Sequence, residues 1–291
     1  MTKTYNRVAK SAPIGVFDSG LGGLTVLREL LKLLPREDFV YLADNANAPY
    51  GRNSPATVRH DTLNNVDFFM SQGVKLIVFA CNTSSAIALD AAQERAGSLP
   101  VIGVINDGIK AAMEASAASS DAAKIAVLAT EATVNNGIFA RELPRAFTDN
   151  NLPEPIVIQA ACQDFVQLVE EGNWEGPLAE ERAEYYLGGM REQEEPDIAI
   201  LACTHFPFLE NVIQKSLPKT QLVDCSKAVA REVKERLSSM DLQNEKKHKS
   251  DVSFYVTEVR PGIEQNIERI LDIEIEGVHH VDIKNAEGFE R

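Results

Sequence analysis

Two apolar runs in this chain end in nearly the same words: Ile77-Val78-Phe79-Ala80-Cys81-Asn82-Thr83 and Ile198-Ala199-Ile200-Leu201-Ala202-Cys203-Thr204-His205. Each is a short β-branched run that follows a charged residue and stops at a cysteine with small polar neighbours. Such a run reads as a strand buried on both faces, the kind found in parallel sheets. In an open parallel sheet, ligands bind outside the carboxyl ends of the strands. The chain therefore presents one thiol in each of two similar half-sites.

The rest of the sequence alternates in the same way. A strand at 13–17 runs into Asp18-Ser19-Gly20-Leu21-Gly22-Gly23, and Leu24, Leu27, Leu30, Leu31 and Leu34 then form a helical stripe that Pro35 stops. A strand at 39–43, a helix at 55–72, the strand ending at Cys81 and a strand at 101–105 follow. The pattern repeats with strands at 124–129 and 156–160, helices at 164–171 and 179–194, and the strand ending at Cys203. A strand at 222–224, a helix at 227–240, a polar loop at 241–251, a strand at 253–257 and a helix at 263–271 close the chain. This is the signature of α/β architecture with doubly wound parallel sheets. Two similar lobes are expected, one of residues 1–106 and 218–291 and one of 107–217, with a small-molecule cleft between them.

Bulk properties remove several function classes. With 29 Lys and Arg against 43 Asp and Glu, the net charge of −14 argues against a nucleic-acid partner. No apolar run is long enough to span a membrane, and residues 1–12 lack the apolar core of a signal peptide, so a cytoplasmic location is expected. Cys81, Cys162, Cys203 and Cys225 are widely spaced and read as free thiols. Cys203 and His205 could supply two metal ligands, but structural and catalytic zinc sites need three or four at recognisable spacing, so no metal is expected.

Cys81 and Cys203 could be small buried hydrophobes, or acid and base groups on opposite sides of one carbon. Asn82, Thr83, Thr204 and His205 are the right size to hold a carboxylate or ammonium beside them. The glycine turn after Asp18 lacks both phosphate-loop patterns, and Asp18 would repel a phosphate. It fits an amino acid better, although a helix cap would explain it as well. Pro49-Tyr50-Gly51 sits past the second strand with Asp44. Glu170, at a helix end, reads as a solvated carboxylate, and Cys162 and Cys225 as packing residues.

Taken together, Asp18 to Gly23, Asp44 with Pro49-Tyr50-Gly51, Ala80 to Thr83, Thr130 to Val134 and Cys203 to Pro207 resemble the glutamate racemases of the cofactor-independent aspartate/glutamate racemase superfamily. The resemblance implies two lobes with pseudo-twofold symmetry, enclosing glutamate without any cofactor. Cys81 would be the base toward D-glutamate and Cys203 the base toward L-glutamate, with Asp18 and His205 assisting and Glu170 a further acid. Ser19, Pro49, Tyr50, Gly51, Asn82, Thr83 and Thr204 would hold substrate together with Asp18 and His205. A homodimer supplying D-glutamate for peptidoglycan is also implied. A racemase of another amino acid such as aspartate, or a binding or regulatory member of the fold with little turnover, are the alternatives. The chain departs from the family pattern at Asn45 (commonly Thr), Ala202 (commonly Gly), Ile105 to Gly108, Gln163 (commonly Pro) and Cys225 (commonly Ser). Asn45 and the 105–108 segment bear on substrate preference and regulation more than on chemistry.

Overall fold

The computed structural model describes residues 9–117, 121–247 and 249–283. The amino-terminal stretch through residue 8, read above for a leader, lies outside these residues. Strand and helix alternate as β1 (Ile14–Asp18), α1 (Leu24–Leu33), β2 (Phe39–Ala43), α2 (Pro55–Ser71), β3 (Leu76–Phe79), α3 (Asn82–Ala96), β4 (Val101–Gly103) and α4 (Ile105–Ser116). The second series is β5 (Lys124–Ala129), α5 (Glu131–Asn136), α6 (Ile138–Asp149), β6 (Ile156–Ala161), α7 (Asp164–Glu170), α8 (Pro177–Glu194), β7 (Ile198–Ala202), α9 (Glu210–Ser216) and β8 (Gln221–Asp224). Then come α10 (Cys225–Ser239), β9 (Val252–Val256), α11 (Ile263–Leu271) and β10 (His279–His280).

Two parallel sheets result, ordered β10-β9-β2-β1-β3-β4 and β6-β5-β7-β8. Every residue of β1, β2, β3 and β7 is buried, because helices cover both faces and leave no side of these strands for water. Strand order reverses between β1 and β3 in one sheet and between β5 and β7 in the other. At such a reversal the connecting helices leave on opposite faces and a crevice opens. Asp18 and Cys81 stand at the first reversal, and Thr130 and Cys203 at the second.

Two sequence expectations change and a third is qualified. The boundary placed at 218 fails for β8, which pairs with β7, Leu222 opposite Ala199 and Val223 opposite Ile200. Its apolar residues complete the second sheet as β4 completes the first. The return begins with α10, which packs on α1 and α4. The strand expected over 101–105 stops at Gly103, and Ile105 already belongs to α4. The polar 241–251 loop is exposed at most of its described residues but is also pinned to the core at Leu242 and Asn244. Lys75, fully buried, donates to Glu37 (2.5 Å) and to the carbonyl of Leu242 (2.9 Å), while the other Glu37 oxygen accepts the amide of Asn244 (2.7 Å).

Candidate active site

The first half-site is built where β1 and β3 stop. Asp18 has no exposed surface. Its Oδ2 accepts the amides of Gly20 (3.2 Å) and Gly23 (2.9 Å), and its Oδ1 accepts the Thr204 hydroxyl across the cleft (3.3 Å). The glycine turn is thus a backbone cradle for a carboxylate, not for a phosphate. Burial pushes the Asp18 carboxyl up to about 6, against the pull of His205 and the two amides. Cys81 is the residue that caps α3, its sulfur accepting the amide of Ser84 (3.5 Å) while Ser19 Oγ lies 4.0 Å away. Helix amino termini favour thiolates, yet here burial and then Asp18 outweigh the Ser84 contact and push the thiol up to about 12. Cys81 therefore carries its proton at neutral pH.

The second half-site is different. His205 Nδ1 lies 3.7 Å from Cys203 Sγ, and His205 Nε2 is 2.6 Å from Glu170 Oε1. Burial opposes charge on the ring, but the cysteine and the carboxylate on its two sides prevail and hold its pKa well above that of free imidazole. For Glu170 the sign is opposite: burial would raise its pKa, but the hydrogen bond from His205 prevails and lowers it. Glu170, its side chain 40% exposed, is thus solvated as its helix-end position suggests, but it is paired with His205 rather than free. Two similar strand ends carry unlike electrostatics, a protonated thiol on one and a cysteine beside a cationic ring on the other.

Both thiols are nearly closed to solvent, 5% exposed at Cys81 and 6% at Cys203. Their partners Ser19 and His205 line a cavity of about 240 Å³, together with Pro49, Glu170, Arg52 and Arg260 among others. Asn82 is buried, and its Oδ1 has no hydrogen-bond partner among the described residues. Thr83 reaches across to Thr130 of the second lobe (3.0 Å). The Tyr50 hydroxyl donates to Asp44 (2.5 Å) and receives from Asn65 (3.1 Å). Gly51 works by lacking a side chain. A Cβ there would stand 2.7 Å from both Gln163 Oε1 and Thr130 Cβ.

Several cavity residues are not among the site residues expected from the sequence. Gln163, Val166 and Gln167 line it with Glu170, and their spacing is the i, i+3, i+4, i+7 stripe of one helix face. That stripe was a usable signal. Arg260 had none, because it arrives from the carboxyl-terminal return of the chain.

Two parallel sheets that meet at their switch points, each with a thiol, make this a two-lobed α/β enzyme fold with its cleft between the lobes. The chain belongs to the Asp/Glu/Hydantoin racemase family, whose model matches residues 14–233. It is 38% identical over 272 residues to the glutamate racemase of Geobacter metallireducens, covering 93% of this chain and 97% of the relative. The glutamate racemase of Carboxydothermus hydrogenoformans is 39% identical over 276 residues, covering 94% and 97% respectively. Among solved structures, glutamate racemase from Francisella tularensis in complex with D-glutamate superposes with a TM-score of 0.85 at 34% identity, covering 94% of this chain and 98% of that one.

Proposed function

We propose that this protein is a glutamate racemase that interconverts L- and D-glutamate by two-base chemistry, supplying the D-enantiomer for peptidoglycan. The observation that carries the reading is the unlike pair of half-sites. Cys203 has the His205 ring 3.7 Å from its sulfur, whereas Cys81 keeps its proton. Starting from L-glutamate, Cys203 as thiolate takes the α-proton and becomes a thiol. The resulting carbanion takes the Cys81 proton on its opposite face and leaves Cys81 as thiolate. The product is D-glutamate, and the reverse reaction begins from that protonation state.

An α-proton beside an unactivated carboxylate is very weakly acidic, so the developing charge must be met by fixed donors and cations with water excluded. The buried threonines and the His205 cation suit that task. The unpartnered Oδ1 of Asn82 is an acceptor suited to the substrate ammonium. The roles of Asp18 toward Cys81 and of Glu170 toward His205 belong to the same reading. So do a cytoplasmic homodimer and a division into two lobes, one of residues 9–106 with 225–283 and the other of 107–224.

The test follows D- and L-glutamate separately in heavy water with no cofactor added, by circular dichroism and by α-proton loss in NMR. Racemisation with deuterium at the product α-carbon is expected from both directions. Cys81→Ser and Cys203→Ser should each lower the racemisation rate by roughly 10²–10⁴-fold, the range of a positioned acid or base. Normal turnover in either variant would remove the two-base assignment, and an inert wild type the substrate.

A further inference from the structure

We propose that Arg260, seated by Asn45 at the mouth of the cleft, is a substrate-recruiting residue that draws the anionic amino acid into the cavity. The proposal rests on the racemase reading above, which makes the substrate a dicarboxylate. A chain of net charge −14 repels such a substrate on average. The cavity already holds Glu170 on its wall and Asp18 behind it, so recruitment needs a local positive charge near the opening. Two exposed cations line the cavity, Arg52 and Arg260. Each is paired with a carboxylate, Arg52 with Asp164 at 3.7 Å and Arg260 with Glu258 at 2.6 Å, but Arg260 is in addition fixed by a backbone carbonyl.

Arg260 is held by a clamp. Asn45 is buried, and its side-chain amide grips the backbone of Glu258 at both ends: Nδ2 donates to the Glu258 carbonyl (2.7 Å) and Oδ1 accepts the Glu258 amide (3.0 Å). The guanidinium of Arg260 returns to donate to the Asn45 carbonyl (2.8 Å) and to the Glu258 carboxylate (2.6 Å). Thr257, just before, donates to Asp44 Oδ1 (2.9 Å) and so anchors the segment on the first sheet. Fixed at one place, the charge stays at the cavity wall, half of the side chain open to solvent. It is also close enough to pull down the pKa of Glu170.

This gives a physical meaning to Asn45, one of the positions where the chain departs from the family pattern it resembles. A Thr hydroxyl there has a single oxygen and cannot satisfy the amide and the carbonyl of residue 258 with separate atoms. Arg260 does not take part in proton transfer, and its contribution is to the encounter and the bound state.

The test is steady-state racemisation of both glutamate enantiomers over a range of ionic strength, for the wild type, Arg260→Gln, Arg260→Lys and Asn45→Thr. Arg260→Gln should raise KM for both enantiomers by roughly threefold to tenfold. Its kcat should stay within about twofold of wild type, the split expected when ground-state attraction alone is lost. Its kcat/KM should also fall less steeply with salt than that of the wild type. Arg260→Lys should keep most of the salt dependence, and Asn45→Thr should move KM in the same direction as Arg260→Gln. Arg231→Gln changes the net charge equally, far from the cavity, and should leave KM alone. An unchanged KM and salt slope in Arg260→Gln, with an active wild type, would overturn this inference and leave the racemase reading standing. A fall in kcat at constant KM would overturn it too, assigning Arg260 to the Glu170–His205 pair. A wild type inert on glutamate would remove both at once.

Discussion

At Gly22 the chain omits a side chain where the opposite lobe needs the room. A Cβ there would lie 2.5 Å from Thr204 Oγ1 and 2.6 Å from His205 Nδ1. Gly22→Ala must therefore displace the two residues that follow Cys203, at a cost of about 1–3 kcal/mol for overpacking. A lowered melting temperature and a lowered kcat are expected together. Gly189→Ala, on an exposed turn of α8 with open space around the new methyl, should instead stabilise by about 0.5–1 kcal/mol. Equal melting temperatures for the two variants would contradict the close approach of the lobes. Asp18 makes a second residue-scale prediction. Its folded-state pKa of about 6 is raised from an ordinary 3.8, so the stability it contributes is full below 3.8 and is lost as pH rises through about 6. Asp18→Asn keeps an oxygen for the amides of Gly20 and Gly23 and an amide toward Thr204, but carries no charge. Between about pH 5 and pH 7.5 the variant should gain about 1–2 kcal/mol on the wild type in urea unfolding, while losing activity. A gap that does not change with pH would refute the buried-carboxylate account.

On the scale of elements, the site depends on where strands end and which helix face turns inward. β1 and β3 deliver Asp18 and Cys81, β7 delivers Cys203, and α7 contributes Glu170 from the same stripe as Gln163, Val166 and Gln167. Far from the cleft, the buried pair of Lys75 and Glu37 staples the 241–251 segment to the start of β3. Lys75 also donates to the carbonyl of Lys10 (2.6 Å). Burial lowers the Lys75 pKa while Glu37 opposes the shift. Lys75→Met leaves the Glu37 carboxylate buried without its partner, a change that costs about 3–5 kcal/mol. The expected signs are faster amide hydrogen exchange at 242–246 and a lower unfolding midpoint, with kcat of the folded enzyme retained. Destabilisation below about 1 kcal/mol would show that the pair can be broken at little cost.

For the whole molecule, what matters is how the two sheets are held against each other. The chain's one tryptophan, Trp174, follows α7, while Arg269 belongs to α11 on the opposite lobe and stacks 4.2 Å from its ring centroid. Glutamate binding that tightens the cleft should change Trp174 emission saturably, and Arg269→Ala should abolish that change. Flat emission through a titration that saturates activity would mean the contact does not report closure. Much of this was legible beforehand. The doubly wound pattern, the two thiols and the glycine turn could be read because parallel strands are locally apolar and their ends are locally polar. The helix stripe at 163–170 was legible in principle, since periodicity is a local property. The membership of β8 was not, because a four-residue apolar strand can join whichever edge the tertiary structure leaves open. Nor was the orientation of the Tyr50 hydroxyl, which depends on Asn65 of α2 and Asp44 of β2's end converging on one atom. The sequence by itself determined the element order, the buried strands and the chemical groups at their carboxyl ends, because all of these follow from runs of neighbouring residues. Only the tertiary structure decided that Cys81 keeps its proton, that His205 stands between Cys203 and Glu170, and that Arg260 reaches the cavity. Those outcomes are set by burial and by charges brought together from distant parts of the chain, and spacing along the sequence does not encode either.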